Sequence, residues 1–142
     1  MGLFKLFFAR SEERGGATPP SGPYVTQGEF EENLSKQGEL APKTVAQLRA
    51  FGVTQESELK LEFFFYSNSD GKAASLVEAL TDLGYHSESS TSAGDPNLVC
   101  ITGWTTPMKM EEEAIVAWTE QMVRLGFKHD CEFDGWGTNP IQ

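Results

Sequence analysis

Polar and apolar positions alternate most regularly at residues 127–133, where Phe127, His129, Cys131 and Phe133 interleave with Lys128, Asp130 and Glu132. A period of two predicts a half-buried strand. The run DGWG that follows, with Asp134, Gly135, Trp136 and Gly137, predicts an abrupt turn, because glycines on either side of the indole admit positive φ and hold the ring at the end of a sheet. Residues 59–66 read as another strand, with Leu59, Leu61, Phe63 and Phe65 on one face and Lys60, Glu62, Phe64 and Tyr66 on the other. Aromatic residues on both faces toward its end predict a central position. Residues 98–104 (LVCITGW) are almost continuously apolar and so also central, whereas the polar residues 85–90 suit an edge.

A different period appears between these strands. Ser69 or Asp70 can cap a helix whose Ala73, Leu76, Leu80 and Leu83 form one stripe, closed by Gly84. Thr106 and Pro107 predict the start of a second helix, with Ile115, Trp118, Met122 and Leu125 buried, Gly126 at its end, and Glu111, Glu112 and Glu113 near its positive pole. Upstream, Pro42 suits a first helical turn and Gly52 a stop, so residues 42–51 predict a leader helix with Val45, Leu48 and Phe51 on a narrow stripe; Phe30 and Leu34 mark a weaker helical pattern at residues 27–37. The resulting order β-α-β-β-α-β contains an internal echo, LGYH against LGFKH, in which a glycine hands over to an aromatic residue. Two such units with right-handed crossovers predict a ferredoxin-like α+β sandwich, four antiparallel strands with both helices on one face, plus the leader helix. The leader helix is then the nearest cover for the other face, where Phe64 and Tyr66 point.

Composition adds domain limits. At 142 residues and 39% hydrophobic the chain supports one core with some excess, which predicts a flexible segment at residues 1–38 and a folded domain at 39–142. The stretch SEERGGATPPSGP has almost nothing to bury and reads as a linker. The opening MGLFKLFFAR is too short and too charged to span a bilayer or to act as a signal peptide, and Leu6 breaks the myristoylation pattern. It reads as a sticky terminus, with a weak interfacial anchor as the alternative and no stable membrane insertion. Cys100 and Cys131 are far apart and unpaired in spacing, as in a reduced, cytoplasmic protein.

Charge narrows the function classes. The net charge is −10, and from Glu56 onward there are 15 acidic against 5 basic residues, so the earlier part is neutral and the fold carries the excess. Phosphate backbones are bound by basic arrays, so direct nucleic-acid binding is not expected, while a basic protein partner would be steered in. The strand LVCITGW also lacks the basic and aromatic residues with which RNA-recognition domains stack bases.

In content, order and spacing the segments LRAFGV, LEFFFYS, LGY and CEFDGWGT resemble the RraB family, regulators of ribonuclease E activity, over residues 44–138. DGWGT is the most specific of them. Two features depart from the family pattern: Glu62 and Phe63 stand where relatives often have a histidine, and no acidic tail follows Thr138. The resemblance implies a ferredoxin-like bacterial domain that binds ribonuclease E and inhibits or modulates its RNA cleavage without being an enzyme and without a cofactor.

The residues leave several readings open. Trp136 can be an exposed anchor in a partner interface or can close the domain over the sheet end. Glu111, Glu112 and Glu113, with Asp130, Glu132 and Asp134, can form a docking surface for ribonuclease E or another basic protein, or a solubilising coat. Gly135 and Gly137 belong to the same candidate interface. His86, Cys100, His129 and Cys131 lack the paired spacing of a zinc site, and no nucleophile elbow or phosphate loop is present, so metal and catalytic residues are expected to be none. The alternatives are an acidic interaction domain with a different partner and a small metal-binding protein or enzyme.

Overall fold

The computed structural model describes residues 22–142; the apolar start and most of the expected linker lie outside them. The first element, α1 (Gln27–Ala50), is one helix of 24 residues. The expected leader helix is therefore its C-terminal half, and the flexible segment expected up to residue 38 is helical from residue 27. Thr26 starts it with a reciprocal cap: its hydroxyl accepts from the Glu29 N–H at 3.1 Å while the Glu29 carboxylate accepts from the Thr26 N–H at 3.0 Å. Pro42 sits inside the helix and not at its start. The buried stripe runs through Asn33, Gln37, Ala41, Val45 and Leu48, so two polar side chains occupy its first half. Asn33 Nδ2 donates to the Phe133 carbonyl at 2.8 Å and Gln37 Nε2 to Asn33 Oδ1 at 3.4 Å.

A two-residue strand β1 (Glu58–Leu59) precedes the central strand β2 (Leu61–Ser67), and α2 (Asp70–Asp82) follows, capped by the Ser69 hydroxyl as expected. Strands β3 (His86–Thr91) and β4 (Val99–Trp104) come next. Thr106 and Pro107, expected to open the second helix, instead lead into β5 (Met108–Lys109), which pairs antiparallel with β1. Helix α3 runs Glu112–Lys128, two residues beyond Gly126, and β6 (Glu132–Thr138) closes the sheet. The strand expected at residues 127–133 is thus a helix end and a turn, with Asp130 at φ 56°, and strand pairing begins only at Glu132.

The large sheet is antiparallel in the order β3-β4-β2-β6, which puts β2 and β4 inside and the polar β3 at an edge. Leu61, Phe63, Phe65, Ile101, Phe133 and Trp136 share a core with Ala73, Leu76 and Leu80 of α2 and Ile115, Trp118 and Met122 of α3, all buried. Helix α1 does not cover the opposite sheet face. It packs on α3, where Phe30 and Phe127 stack at 4.3 Å, and Arg49 Nη2 donates to the Met110 carbonyl at 2.7 Å. The narrow stripe needs an apolar partner, and the outer side of α3 supplies one.

Candidate partner-binding site

DGWG is not a turn. Phe65 pairs with Phe133 and Phe64 with Gly135, so Asp134 is one extra residue, a β-bulge within β6. Gly135 takes φ 137°, which an L side chain rarely adopts, and this is where the glycine is required. The extra residue shifts the strand's phase. Phe133 and Trp136, three apart, therefore both face the core, where strict alternation would have put one of them outside.

Trp136 is 0% exposed, so the exposed-anchor reading is corrected: its ring lies edge-on to Trp118 at 6.2 Å and is paired across the strand with Phe63. Trp118 meets Phe133 edge-on at 6.2 Å and donates Nε1–H to the Tyr85 hydroxyl at 3.2 Å. The tryptophan pair thus ties β6 to α3 and, through Tyr85, to the start of β3. The Trp136 indole N–H meets no acceptor among the described residues, so its ring is held by packing alone. Gly135 and Gly137 are buried, and Asp134 is 7% exposed.

The acidic candidates separate. Glu111, Glu112 and Glu113 are exposed at the N-terminus of α3, whereas Asp130 and Glu132 follow its C-terminus. Seventeen helical residues put about 25 Å between those ends at 1.5 Å per residue, so the two groups do not form one patch. Asp130 has a different task. Its carboxylate accepts from the Tyr24 N–H at 2.8 Å and the Val25 N–H at 2.9 Å, and pairs with Lys72 Nζ at 2.6 Å. Lys72 also donates to the Gly22 carbonyl at 2.8 Å and to Asn68 Oδ1 at 2.9 Å, so one ion pair fastens the entry of α1 to the end of the sheet. A sequence signal for this clamp is absent, because the partners are 106 residues apart.

Partial burial alone would raise the Asp130 carboxyl, but the Lys72 hydrogen bond, the Val25 and Tyr24 N–H groups and the Lys72 charge together bring it below the ordinary value. Its folded-state value is the lower one, so its stabilisation is present above the ordinary carboxylate pKa and lost as pH falls through the depressed value. Asp130→Ala is expected to destabilise the domain by about 2–3 kcal/mol, from lost charge-assisted bonds and a left-handed residue without its carboxylate. Asp130→Asn should cost less. Urea unfolding across pH checks this: the gap between wild type and Asp130→Asn should close toward acid pH.

The nearest approach to a catalytic pair is Ser75 Oγ and His129 Nδ1, 2.8 Å apart. Burial, then the Lys128 charge, lowers the imidazole pKa, which favours the neutral ring. Among the described residues no carboxylate bonds its other nitrogen, and Ser75 is on the body of α2. Cys131 is buried, its thiol pushed up to about 11 chiefly by desolvation. Cys100 and Cys131 form no disulfide, and no group of three His, Cys, Asp or Glu side chains able to hold a metal occurs among the described residues. No described helix is long and apolar enough to cross a membrane.

The class these features define is an α+β domain in which one antiparallel four-stranded sheet is backed by three helices on a single face and locked by a tryptophan pair. A family model described as Regulator of ribonuclease activity B, RraB, matches residues 41–138, which span the second half of α1 through the end of β6. The chain belongs to the RraB family. Comparison with curated proteins found no match.

Proposed function

We propose that this protein regulates ribonuclease E by direct contact, inhibiting or redirecting its cleavage of RNA without itself acting as an enzyme. The family match over residues 41–138 is the observation that carries this reading. The strand order β3-β4-β2-β6 supports assigning the domain to the ferredoxin-like class. The acidic excess of the fold favours a basic stretch of the ribonuclease as the contact, in the cytoplasm, where RNA processing takes place.

Of the acidic candidates, Glu111, Glu112 and Glu113 are exposed together at one helix end and are the proposed docking charges, with half-buried Glu132 as a separate contact. Trp136 and its glycines act from beneath, by fixing β6. The test is a binding titration against ribonuclease E, intact and cut back to its catalytic half, at low and physiological salt. Glu111→Gln/Glu112→Gln/Glu113→Gln is expected to weaken binding about tenfold at low salt and to flatten the salt dependence, with the truncation showing which half is contacted. Failure of both ribonuclease forms to bind at micromolar protein and low salt would leave the fold to another basic partner.

A further inference from the structure

Helix α3 turns one face to the core, where Ile115, Trp118 and Met122 are buried, and one flank to α1, where Phe127 meets Phe30. The face turned away from the core carries Glu113, Ala117, Glu120, Gln121, Arg124 and Lys128. At about 100° and 1.5 Å per residue these six fall on one stripe about 100° wide and about 23 Å long. Glu120 is half-buried and the others are exposed. Their spacing is symmetric about the point between Glu120 and Gln121, while their charge is opposite on its two sides. Glu113 and Glu120 stand in the N-terminal half, Arg124 and Lys128 in the C-terminal half. Among the described residues none of these four forms an ion pair. The helix dipole favours cations near a C-terminus on any side of the helix, so it does not account for their lying on one line with the exposed acids.

The stripe borders a groove. Helices α2 and α3 lie on the same sheet without packing closely on each other. Between them is a space of about 470 Å³, lined by Ala79 and Leu83 of α2, by Ala117 and Leu125 of α3, and by Arg124 and Lys128. Leu83 is 41% exposed, although it is a large apolar side chain. Two of the five basic residues that the chain carries from Glu56 onward are thus gathered on an apolar groove. A helix with an acidic face and small side chains fits beside them, and the N-terminal half of α3 is such a helix. Under a two-fold axis between Glu120 and Gln121 the partner's Lys128 falls opposite Glu113. The partner's Arg124 falls over the small Ala117, between Glu113 and Glu120, and its aliphatic stem covers Leu83.

We propose that α3 is a self-complementary docking surface, on which a second copy of the chain lays its own α3 antiparallel, so that the acids of each helix meet the cations of the other. One helix face buries less than the roughly 800 Å² per partner of a standard interface, so the pair is weak, with half-association on the order of 100 µM. It covers Glu113 and therefore competes with the ribonuclease contact. That consequence rests on the docking reading given above, whereas the pairing concerns the protein alone.

The experiment is sedimentation equilibrium of the full chain without ribonuclease, at low salt, from micromolar to millimolar protein. The expected result is a monomer–dimer equilibrium that weakens as salt is added. Glu113→Lys sets cations against each other in its own pair, and Lys128→Glu sets acids against each other, so each variant alone should associate at least tenfold more weakly than wild type. An equimolar mixture of the two regains both attractive contacts in the mixed pair and should associate within about threefold of wild type. Both positions are exposed, and recovery on mixing excludes misfolding as the cause of the loss. A wild-type chain that stays monomeric at millimolar protein would overturn the proposal, as would variants that associate like wild type or a mixture no tighter than either variant. A mass rising past that of a dimer would mark an open contact in place of a two-fold pair and would overturn it as well.

Discussion

Trp136→Ala is expected to destabilise the domain by about 3–5 kcal/mol, the range for emptying a fully buried large aromatic site. The indole is 0% exposed and leans on Trp118, Phe63 and, through Trp118, Phe133, so truncation opens a cavity at the junction of β6 and α3. Trp136→Phe should cost only about 1–2 kcal/mol, since the N–H it removes has no acceptor among the described residues. Urea unfolding of the three proteins makes the comparison. An alanine variant that unfolds at the wild-type urea concentration but binds its partner more weakly would restore the tryptophan to the surface and contradict the packing described above.

The second large effect is expected at Gly103. It lies between Phe63 and Ser87 on the core side of β4, and an added Cβ would come 2.0 Å from the His86 carbonyl oxygen, 2.7 Å from Ser87 Cα and 2.8 Å from Phe63 Cζ. Two of those three atoms are backbone, so relief requires moving β3 away from β4. Overpacking typically costs 1–3 kcal/mol and more where backbone must shift, so Gly103→Ala is expected to cost about 3 kcal/mol or more. Ser89→Ala, exposed on the neighbouring edge strand, is the control and should stay within about 0.5 kcal/mol of wild type by the same unfolding measurement.

Residues that face one partner layer were legible from pattern. The alternation of Leu61, Phe63 and Phe65 against Glu62, Phe64 and Tyr66, and the stripe of Ala73, Leu76 and Leu80 behind a serine cap, reappear in β2 and α2 as read, whereas Leu83, read as the last residue of that stripe, is exposed at the helix C-cap. The C-terminal end misled for a definite reason. Phe127 and Cys131 alternate with polar neighbours, but Phe127 completes the face of α3 that meets Phe30, and the left-handed Asp130 then reverses the chain. A bulge at Asp134 next converts a spacing of three between Phe133 and Trp136 into a shared face, which no periodic template detects. Helix α1 hid its first half because Asn33 and Gln37 occupy stripe positions, and only the sheet's Phe133 carbonyl explains an asparagine there.

The candidate site was less legible than the fold. Chemistry-bearing residues such as Trp136 and Asp130 were found by residue type, but whether each faces solvent or holds the domain together depends on contacts made across the whole chain. Asp130 bonds to Tyr24 and Lys72, and Trp136 packs edge-on against Trp118 of α3. Glu111, Glu112 and Glu113 kept their exposed place because a helix N-terminus favours carboxylates in its first turn without burying them. A sheet face without a described helix on it could be suspected from Phe64 and Tyr66 alone. Its rows needed the register.

The most direct test of regulation by contact is the initial rate of cleavage of a fixed RNA by ribonuclease E, titrated with the purified full chain. The protein alone is expected to leave the RNA intact, and adding it is expected to change the cleavage rate until a plateau is reached near stoichiometric amounts. Ribonuclease E activity that stays unchanged at a large excess of the protein, or RNA that is cut by the protein alone, would contradict it.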